Sequence, residues 1–443
     1  MLFECHYIEI LQPKKHFKKI YCLFLYKYFI TMKTDVIIIG AGMSGLTAAV
    51  YLTKLGKSVQ VFEASNSVGG RIKTENHNGF LLDHGFQVLL TAYPECQKLL
   101  NYKDLDLKSF LPGATVLYEK GQFEIADPFR RPQALFSTVF APVGSLKDKA
   151  NTFFLKNRLV RSSIEKLFNK DEVSTLEQLQ KYGFSQKMIN RFYKPFFSGI
   201  FLENELQTSS RMFDFVMKMF SEGDAAIPAK GMQEIPKQLA AMLPENCLYF
   251  NAKVSKIEGS QVFLTDNSQF EAENIIIATE ATGIISEYTP NVEKAAQSVT
   301  TVYFEAEIAP TNQAIVVLNA SENKKWANNL VVLTNVSKEY APDGKVLIAV
   351  SYNGIATISD TDLAKNMQEE LSFWYGSQVA NWKFLKAFQI RYALPNLTTF
   401  TNDLTKNQMQ ISKNLFVCGD HLLNGSINAA MKSGRLVAEL ICS

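Results

Sequence analysis

Short unbroken apolar runs alternate along the chain with stretches of helical apolar spacing, most clearly over residues 35–63. Asp35 precedes a β-branched run that ends at Ile39, a pattern typical of a parallel strand buried on both faces. Apolar residues then recur at helical spacing over 46–55, and the sequence Ser-Val-Gln-Val-Phe at 58–62 predicts a second strand. The order of strand, helix and strand predicts a βαβ unit.

Beyond this unit the pattern predicts Phe-rich helices, followed by two groups of strands. Between Tyr93 and about Phe220, prolines interrupt helical segments that are rich in Phe. Further strands are predicted at 248–250, 254–257, 261–264, 274–279, 302–308, 346–352 and 414–420, and helices at 363–375 and 426–441. Short buried strands occur near both ends of the sequence, so we expect them to share one sheet.

This order of elements predicts an α/β protein built from two discontinuous domains. One is a Rossmann-like dinucleotide-binding domain, and the other is an inserted, mixed α+β substrate domain. The expected boundaries are 32–95, 221–298 and 400–443 for the first domain and 96–220 and 299–399 for the second.

Composition indicates a folded protein, because 47% of the 443 residues are hydrophobic and 20% are charged. The formal net charge of +3 resides entirely in residues 1–31, which hold five Lys and two acidic residues. The remaining chain is balanced, which argues against a global field that attracts nucleic acid.

Residues 1–31 are expected to be a leader outside the native fold. Their apolar stretch at 21–30 is interrupted by Lys27, is too short to span a bilayer, and lacks a signal-peptide cleavage site. Met32 resembles a natural start, which favours an over-extended reading frame. A membrane-surface anchor is the alternative, since aromatic and Lys residues interleave.

The cysteines indicate neither a disulfide framework nor a metal site. The six Cys are at positions 5, 22, 96, 247, 418 and 442, without C-x-x-C or zinc-type spacing. We therefore expect reduced thiols, no metal, and a cytoplasmic protein, with membrane association as an alternative.

A glycine-rich turn follows the first strand and predicts a dinucleotide site. Gly40, Gly42 and Gly45 suit a tight turn, close approach to a pyrophosphate, and close packing of helix on strand. Met43 and Ser44 lie between them, at the helix N-terminus that would hold the phosphates. Glu63 follows Gly40 by 23 residues, as a ribose-binding carboxylate does.

A second glycine pair distinguishes the dinucleotide. Gly69, Gly70 and Arg71 follow Glu63 closely, and here the sequence resembles the superfamily of flavin amine oxidases, phytoene desaturases and protoporphyrinogen oxidases. The resemblance implies a glutathione-reductase-type FAD-binding domain with non-covalent FAD. It implies that Arg71 neutralises phosphate charge, while Gly69 and Gly70 let the loop approach the pyrophosphate.

Other segments carry the same resemblance. Its Asp/Glu-x-Gly segment corresponds to residues 83–85, which implies that Gly85 lies against the isoalloxazine and that His84, Phe86 and Gln87 line the substrate pocket. A buried, hydrogen-bonded His84 without a catalytic task is the alternative. The further cofactor-binding residues implied are Val254 near adenine, Thr279 beside FAD, Asp420 at a ribityl hydroxyl, and Ser426 and Ile427 at a helix N-terminus facing the flavin.

The resemblance implies an FAD-dependent oxidoreductase that takes hydride from an apolar substrate, isoprenoid or tetrapyrrole-like, with oxygen or a quinone as acceptor. The aromatic block at 192–201 suits an apolar tunnel, although core packing explains it equally well. No catalytic side chain is assigned. The alternatives are an amine oxidase, whose flavin-attached Cys and aromatic pair are not found, a redox-neutral isomerase using reduced FAD, and a non-catalytic prenyl-binding escort protein.

One basic helix suggests contact with a membrane. Over residues 144–161, the apolar residues at 146, 150, 153, 154 and 159 fall on one helical face, with Lys and Arg opposite. A helix packed onto its own domain gives the same pattern.

Overall fold

The structure is a computed structural model that describes residues 34–281, 283–289 and 295–443. The described strands are β1 (Thr34–Ile39), β2 (Val59–Phe62), β3 (Thr74–His77), β4 (Phe80–Asp83), β5 (Leu89–Leu90), β6 (Leu107–Ser109), β7 (Gly113–Tyr118), β8 (Gly121–Ala126), β9 (Ala225–Pro228), β10 (Leu248–Tyr249), β11 (Val254–Glu258), β12 (Gln261–Leu264), β13 (Gln269–Ile277), β14 (Ala296–Ala306), β15 (Val316–Asn319), β16 (Asn329–Val332), β17 (Val346–Asn353), β18 (Lys383–Pro395), β19 (Gln410–Ser412) and β20 (Leu415–Val417).

The described α-helices are α1 (Met43–Lys54), α2 (Pro94–Leu99), α3 (Leu135–Phe140), α4 (Leu146–Val160), α5 (Ile164–Phe168), α6 (Thr175–Lys181), α7 (Gln186–Met188), α8 (Lys194–Phe201), α9 (Ser210–Glu222), α10 (Glu234–Ala240), α11 (Ile285–Tyr288), α12 (Leu333–Val336), α13 (Asp360–Tyr375), α14 (Lys406–Met409) and α15 (Ile427–Cys442). A π-helical turn, Ile189–Tyr193, joins α7 to α8. Four short 3₁₀ turns occur at Pro132–Ala134, Lys338–Tyr340, Gly376–Asn381 and Asp420–Leu422.

A parallel sheet forms around β1, whose β-branched residues are buried on both faces. Its parallel strands run in the order β10, β2, β1, β13, β20, so strands from both ends of the chain share it, as the sequence pattern predicts. Ile38 pairs with Val61 on one side and with Ile276 on the other. Strands β11 and β12 extend β13 as an antiparallel meander.

Helices α1 and α15 pack together against one face of this sheet. Their close approach requires a glycine at 434, because a Cβ there would lie 2.2 Å from the carbonyl oxygen of Ser44. The N-termini of both helices consequently lie at the carboxyl ends of the parallel strands, where α/β folds bind ligands.

A second, mixed sheet has seven strands in the order β18, β14, β17, β16, β15, β7, β8. Strands β15 and β7 are parallel and the other neighbours antiparallel. One face packs on α13 through a core that includes Phe304, Ile348 and Leu363. The molecule therefore has a mixed α/β fold, as expected.

One part of the second sheet corrects the sequence analysis, which predicted only helices between Tyr93 and Phe220. Residues 113–126 instead form the β7–β8 hairpin, in which Thr115 lies opposite Glu124. Thr115, Val116 and Tyr118 are residue types that favour strands, and surrounding Phe and Pro residues obscured this signal.

Helices α4 to α9 form a bundle, of which α8 packs against β15 and β17 of the second sheet. Ser145 and Asp148 form a capping box at the start of α4, and Asp148 also accepts hydrogen bonds from Ser185.

No helix of the described ranges combines the length and apolar character needed to cross a bilayer. Cys96, Cys247, Cys418 and Cys442 are unpaired, whereas the predicted leader, with its two cysteines, lies outside the described residues.

Candidate cofactor and substrate site

A cavity of about 1850 Å³ opens at the carboxyl ends of the parallel strands. Ile39, Phe62 and Gly419, at or beyond the ends of three of these strands, line its wall. The cavity continues between the second sheet and the helical bundle. It exceeds the range of about 300–1,000 Å³ that is usual for a single ligand pocket.

The three glycines of the first loop have different surroundings. A Cβ on Gly45 would lie 2.0 Å from the carbonyl oxygen of Gly40, so this position serves helix-to-strand packing. Gly40 has φ +106°, and its Cβ would lie 2.9 Å from the carbonyl oxygen of Ala278. Gly42, the N-cap of α1, has no atom within 4 Å of where a Cβ would be, so its missing side chain faces open cavity.

The second glycine pair lies directly beside the first loop. Gly69 donates a hydrogen bond from its backbone N to the carbonyl oxygen of Ala41 at 2.9 Å and has φ +120°. A Cβ on Gly70 would lie 3.5 Å from Cα of Gly42. The two loops thus present adjacent, side-chain-free backbone to the same part of the cavity.

Glu63 is held at the end of β2 by backbone donors. Its Oε2 accepts a hydrogen bond from Ala41 N and its Oε1 accepts one from Ser65 N, each at 2.8 Å. Ala252 N donates to the Glu63 carbonyl oxygen at 2.9 Å, which brings the segment leading to Val254 alongside. Glu63 and Val254 both line the cavity, where Glu63 can accept from ribose hydroxyls.

Arg71 and Asp420 form an ion pair across the cavity wall. Nη2 of Arg71 donates to Oδ1 of Asp420 at 2.5 Å, and Nη1 donates to the carbonyl oxygen of Ala393 at 3.1 Å. Burial raises the pKa of Asp420, but the guanidinium of Arg71 outweighs it and holds that pKa below its usual value. From the sequence, Arg71 was expected at phosphate and Asp420 at a ribityl hydroxyl, and their contact with each other was not predicted.

The segment after β4 forms another part of the wall. The ring of His84 lies 4.4 Å from that of Phe388, and burial, followed by Lys73, lowers the pKa of His84 below its usual 6.5. His84 is therefore neutral at pH 7. Gln87 donates from Nε2 to the carbonyl oxygen of Arg71 at 3.0 Å and so orients the glycine loop. Gly85, with φ +91°, and Phe86 also face the cavity.

Helix α15 begins at the cavity. Its N-cap Ser426 accepts a hydrogen bond at Oγ from Ala429 N at 3.0 Å, and Ile427 lines the cavity at the first helical position. The positive end of a sixteen-residue helix therefore faces the space between the sheets.

The surroundings fit the FAD that the sequence implies. His84 Nε2, Gln87 Oε1 and Thr279 Oγ1 are buried in the cavity wall without hydrogen-bond partners. Buried polar atoms without partners are costly, and a polar ligand with ring nitrogens, carbonyls and hydroxyls supplies such partners. The open space at Gly42 and the two adjacent loops suit its pyrophosphate.

Nearly all of the residues assigned from the sequence lie around this one cavity. Those that line it are Gly40, Gly42, Met43, Ser44, Glu63, Gly69, Gly70, Arg71, His84, Gly85, Phe86, Gln87, Val254, Thr279, Asp420, Ser426 and Ile427. Gly45 does not line it, because it packs against the backbone of Gly40.

Sequence reasoning missed the contribution of β18. The guanidinium of Arg71 lies 5.5 Å from the ring centre of Tyr392, and burial, then Asp420, raises the pKa of Tyr392 to about 12. Tyr392 is in no recognisable motif. The sequence shows there only an aromatic residue within a strand-like stretch. A residue of the protein core would give the same pattern.

The aromatic block at 192–201 divides between cavity and core. Phe192 and Phe196 line the cavity with rings stacked 5.6 Å apart, whereas Tyr193 and Phe197 are fully buried. Phe201, the fifth ring of the block, is buried and also lines the cavity, so each of the two interpretations holds for part of the block. The other apolar residues contributed by α9 to the cavity are Met212, Val216, Met217 and Phe220.

Comparison with known proteins gives consistent matches. The family model described as flavin containing amine oxidoreductase matches residues 43–442. Protoporphyrinogen oxidase 2 of Arabidopsis thaliana is 28% identical over 166 residues, which are 37% of this chain and 32% of the plant protein. A 4,4'-diaponeurosporene oxygenase of Staphylococcus aureus is 30% identical over 80 residues, 18% of this chain and 16% of that protein. The matches thus span a third or less of these relatives.

A solved structure extends the likeness to the whole fold. An oxidoreductase from Methanosarcina mazei superposes with a TM-score of 0.68 at 18% identity, covering 91% of this chain and all of the other.

Proposed function

The chain belongs to the family of flavin-containing amine oxidoreductases and is an FAD-dependent oxidoreductase, and we propose that it removes hydride from an apolar organic substrate. The reaction is of the desaturase or dehydrogenase type, and the substrate is isoprenoid or tetrapyrrole-like. The names of the Arabidopsis and Staphylococcus relatives, which refer to a tetrapyrrole and a carotenoid, support this substrate class.

The observation that carries the proposal is the continuity of the cavity. The glycine loops and Glu63 line it, and so do the stacked rings of Phe192 and Phe196. Its volume of about 1850 Å³ leaves room for an apolar molecule beside a dinucleotide.

The residues have distinct tasks in this proposal. FAD, when bound, supplies the hydride acceptor. Glu63 binds a ribose, the backbone amides at the start of α1 bind phosphate, and Arg71 balances negative charge. The N-terminus of α15 stabilises negative charge beside the reacting centre. Phe192 and Phe196 orient the substrate and exclude water.

No side chain is assigned as a proton donor or acceptor. His84 lines the cavity, and it is neutral at pH 7 because burial lowers its pKa. A proton released on desaturation passes to solvent in this proposal. We further propose that oxygen or a quinone is the final electron acceptor. We also propose that the two domains meet at about residues 95, 220, 298 and 399.

An anaerobic titration tests the proposed substrate class. The full chain, purified with its flavin, is mixed in separate experiments with a porphyrinogen, a partly saturated carotenoid and an aliphatic amine. We expect the porphyrinogen or the carotenoid to bleach the flavin stoichiometrically, while the amine does not. Bleaching by the amine alone would contradict the proposal, as would substrate turnover without any net flavin reduction.

A further inference from the structure

One face of the second sheet carries three polar side chains side by side next to the cavity. Thr301 on β14, Ser351 on β17 and Asn329 on β16 are paired in register on three neighbouring strands. They are buried, with 0%, 4% and 7% of their surface exposed. Cross-strand neighbours in register lie on the same face of a sheet, so the three side chains form one continuous row. We call Thr301, Ser351 and Asn329 the polar row.

The same face is apolar directly beside the polar row. Tyr303, Ala349 and Val331 lie two positions along the same three strands and belong to the hydrophobic core. Leu318, the neighbour of Asn329 on β15, is apolar too and lines the cavity. Burial of hydroxyl and amide groups costs free energy unless they are hydrogen-bonded. The polar row therefore departs from what packing of the sheet alone requires.

Hydrogen bonds within the protein do not satisfy the polar row. Among the described residues, Oδ1 of Asn329 has no hydrogen-bond partner although it is buried. Oγ of Ser351 lies 3.5 Å from Oγ1 of Thr301, at the outer limit for a hydrogen bond. Asn319 is different, because its Nδ2 donates to Ala327 and to Glu370 at 2.9 and 2.7 Å. The amide of Asn329 is thus the one of the two that is left for a ligand.

The polar row faces the cavity opposite helix α8. Asn329 and Ser351 line the cavity, and so does Gly199 on α8. A Cβ on Gly199 would lie 2.8 Å from Nδ2 of Asn329, so glycine at this position leaves the space that the amide occupies. Gly199 follows Phe196 by three positions and lies on the same face of the helix. A molecule that contacts the ring of Phe196 can therefore also reach the polar row.

The polar row lies at a distance from the proposed position of the flavin ring. Gly85, placed beside that ring, adjoins β14, because its Cβ would lie 3.9 Å from Cγ1 of Val299. Asn329 is on β16, two strands away from β14. Adjacent strands are about 4.8 Å apart, so a group bound at Asn329 lies about 10 Å from this strand. It is therefore remote from the bond that is oxidised.

We propose that the polar row is a specificity site for a hydroxyl group of the substrate. Oδ1 of Asn329 accepts a hydrogen bond from this hydroxyl, and Oγ of Ser351 donates one to its oxygen. The substrate is accordingly an isoprenoid alcohol, with its hydroxyl about 10 Å from the bond that is oxidised. This inference rests on the proposed function, because it specifies the substrate within the class proposed there.

Equilibrium binding of matched, non-oxidisable ligands tests the assignment. The full-length holoenzyme in detergent is titrated with a saturated diterpene alcohol, with its methyl ether, and with the hydrocarbon of the same skeleton. The visible absorption of the oxidised flavin reports each Kd. We expect the ratio of the hydrocarbon Kd to the alcohol Kd to fall about 10-fold in Asn329→Leu, as one well-placed hydrogen bond supports. Partition into detergent is the same for all variants and cancels in this comparison.

The methyl ether isolates the role of Asn329, since it has no proton to donate to Oδ1. In wild type it should bind less tightly than the alcohol, and Asn329→Leu should abolish this difference. Ser351→Ala, a smaller change, should lower the ratio of hydrocarbon to alcohol Kd about threefold, as expected for a weaker hydrogen bond.

Asn319→Leu is the matched control, because Asn319 is a buried Asn of the neighbouring strand that does not line the cavity. It should keep the wild-type Kd ratio and lower the urea midpoint, since two hydrogen bonds are lost. Asn329→Leu should show the reverse, with an altered ratio and a midpoint that is unchanged or higher, because it removes an amide oxygen without a partner.

Two results would overturn the proposal. One is a wild-type Kd ratio in both Asn329→Leu and Ser351→Ala, which would mean that the polar row binds only water. The other is a fall in the urea midpoint of Asn329→Leu as large as that of Asn319→Leu, which would give the amide a purely structural role.

Failure of the proposed function gives a different result. If porphyrinogen and carotenoid both leave the flavin oxidised while the preference for the alcohol still depends on Asn329, the oxidised substrate is misassigned and the hydroxyl site stands. If a partly saturated carotenoid bleaches the flavin while the alcohol gains nothing from Asn329, the proposed function stands and the hydroxyl site is wrong.

Discussion

Arg71 and Asp420, 349 positions apart in the chain, form an ion pair of 2.5 Å between Nη2 and Oδ1 in the cavity wall. Arg71 extends from the second glycine loop and Asp420 follows β20, so the pair joins motifs from the two ends of the protein. The side chain of Arg71 is 29% exposed, while that of Asp420 is 8% exposed. Asp420 is thus the inner member, which orients the guanidinium beside the glycine loops.

Removal of Asp420 should weaken cofactor binding. We expect Asp420→Ala to raise the Kd for FAD by about 10- to 100-fold, since a hydrogen bond to a charged group is worth about 1.5–3 kcal/mol. Flavin fluorescence during titration of the apoprotein measures this Kd. Glu439→Ala is the control, because Glu439 pairs with Arg435 on the surface of the same C-terminal segment. An unchanged Kd in Asp420→Ala would show that Arg71 needs no orienting partner.

Substitutions at two glycines of the first loop should have different effects, one on FAD binding and the other on folding. Gly42→Ala places a methyl group in open cavity at a backbone conformation that any residue adopts, so we expect normal stability of the apoprotein with loss of retained FAD. Gly45→Ala would place Cβ 2.0 Å from a backbone oxygen, and we expect a loss of about 1–3 kcal/mol or more in unfolding free energy.

Thermal unfolding of the two apoproteins and flavin content after gel filtration distinguish these effects. Retention of FAD by Gly42→Ala at the wild-type level would mean that the cofactor does not approach this position.

The motifs of the FAD site were predictable because each is short and local. The turn at 40–45 and the acid at Glu63 follow from spacing within one βαβ unit. Two other features depend instead on how strands that are distant in sequence come together: the Arg71–Asp420 pair and the part of the wall formed by Tyr392. No local pattern in a single sequence reveals this arrangement. Leu159 illustrates the same limit. Helical spacing correctly predicted that it lies on an apolar face, but spacing does not reveal that the bundle buries this part of the face.

Adjacent phenylalanines in α8 should respond differently to truncation. Phe197 is fully buried, and Phe197→Ala should cost about 3–5 kcal/mol of unfolding free energy. Phe196 lines the cavity and packs on Phe192 and Phe220, so Phe196→Ala should cost less unfolding free energy than Phe197→Ala while lowering kcat/KM about 10- to 100-fold, as expected from lost apolar contact with substrate. Urea denaturation and steady-state kinetics measure the two effects. A kcat/KM equal to wild type in Phe196→Ala would place the substrate elsewhere.

Asp83 should give the protein a pH-dependent stability. Burial raises its pKa from 3.8 to about 6, although Thr74, Met232 and Tyr340 donate hydrogen bonds to the carboxylate and act in the opposite direction. The folded state therefore holds a proton that the unfolded state releases. The contribution of Asp83 to the unfolding free energy is fully present below about pH 3.8 and is lost as pH rises through about 6.

Urea denaturation of wild type and Asp83→Asn across this range measures the effect. The unfolding free energy of wild type relative to the variant should fall by up to about 3 kcal/mol as pH rises. Asp35→Asn should give the opposite sign at lower pH, because hydrogen bonds from Ser58 lower the pKa of Asp35 and its contribution to stability is lost as pH falls below about 3.8. A difference between wild type and Asp83→Asn that stays constant with pH would contradict the assignment.

A crystal structure of the full chain purified with its cofactor tests the central claim most directly. The account predicts FAD in the large cavity, with a ribose at Glu63, the pyrophosphate between Gly42 and Gly70, and the flavin ring between Gly85 and the start of α15, facing Phe192 and Phe196. A different nucleotide in the cavity, or FAD bound with its flavin ring away from these aromatic residues, would contradict it.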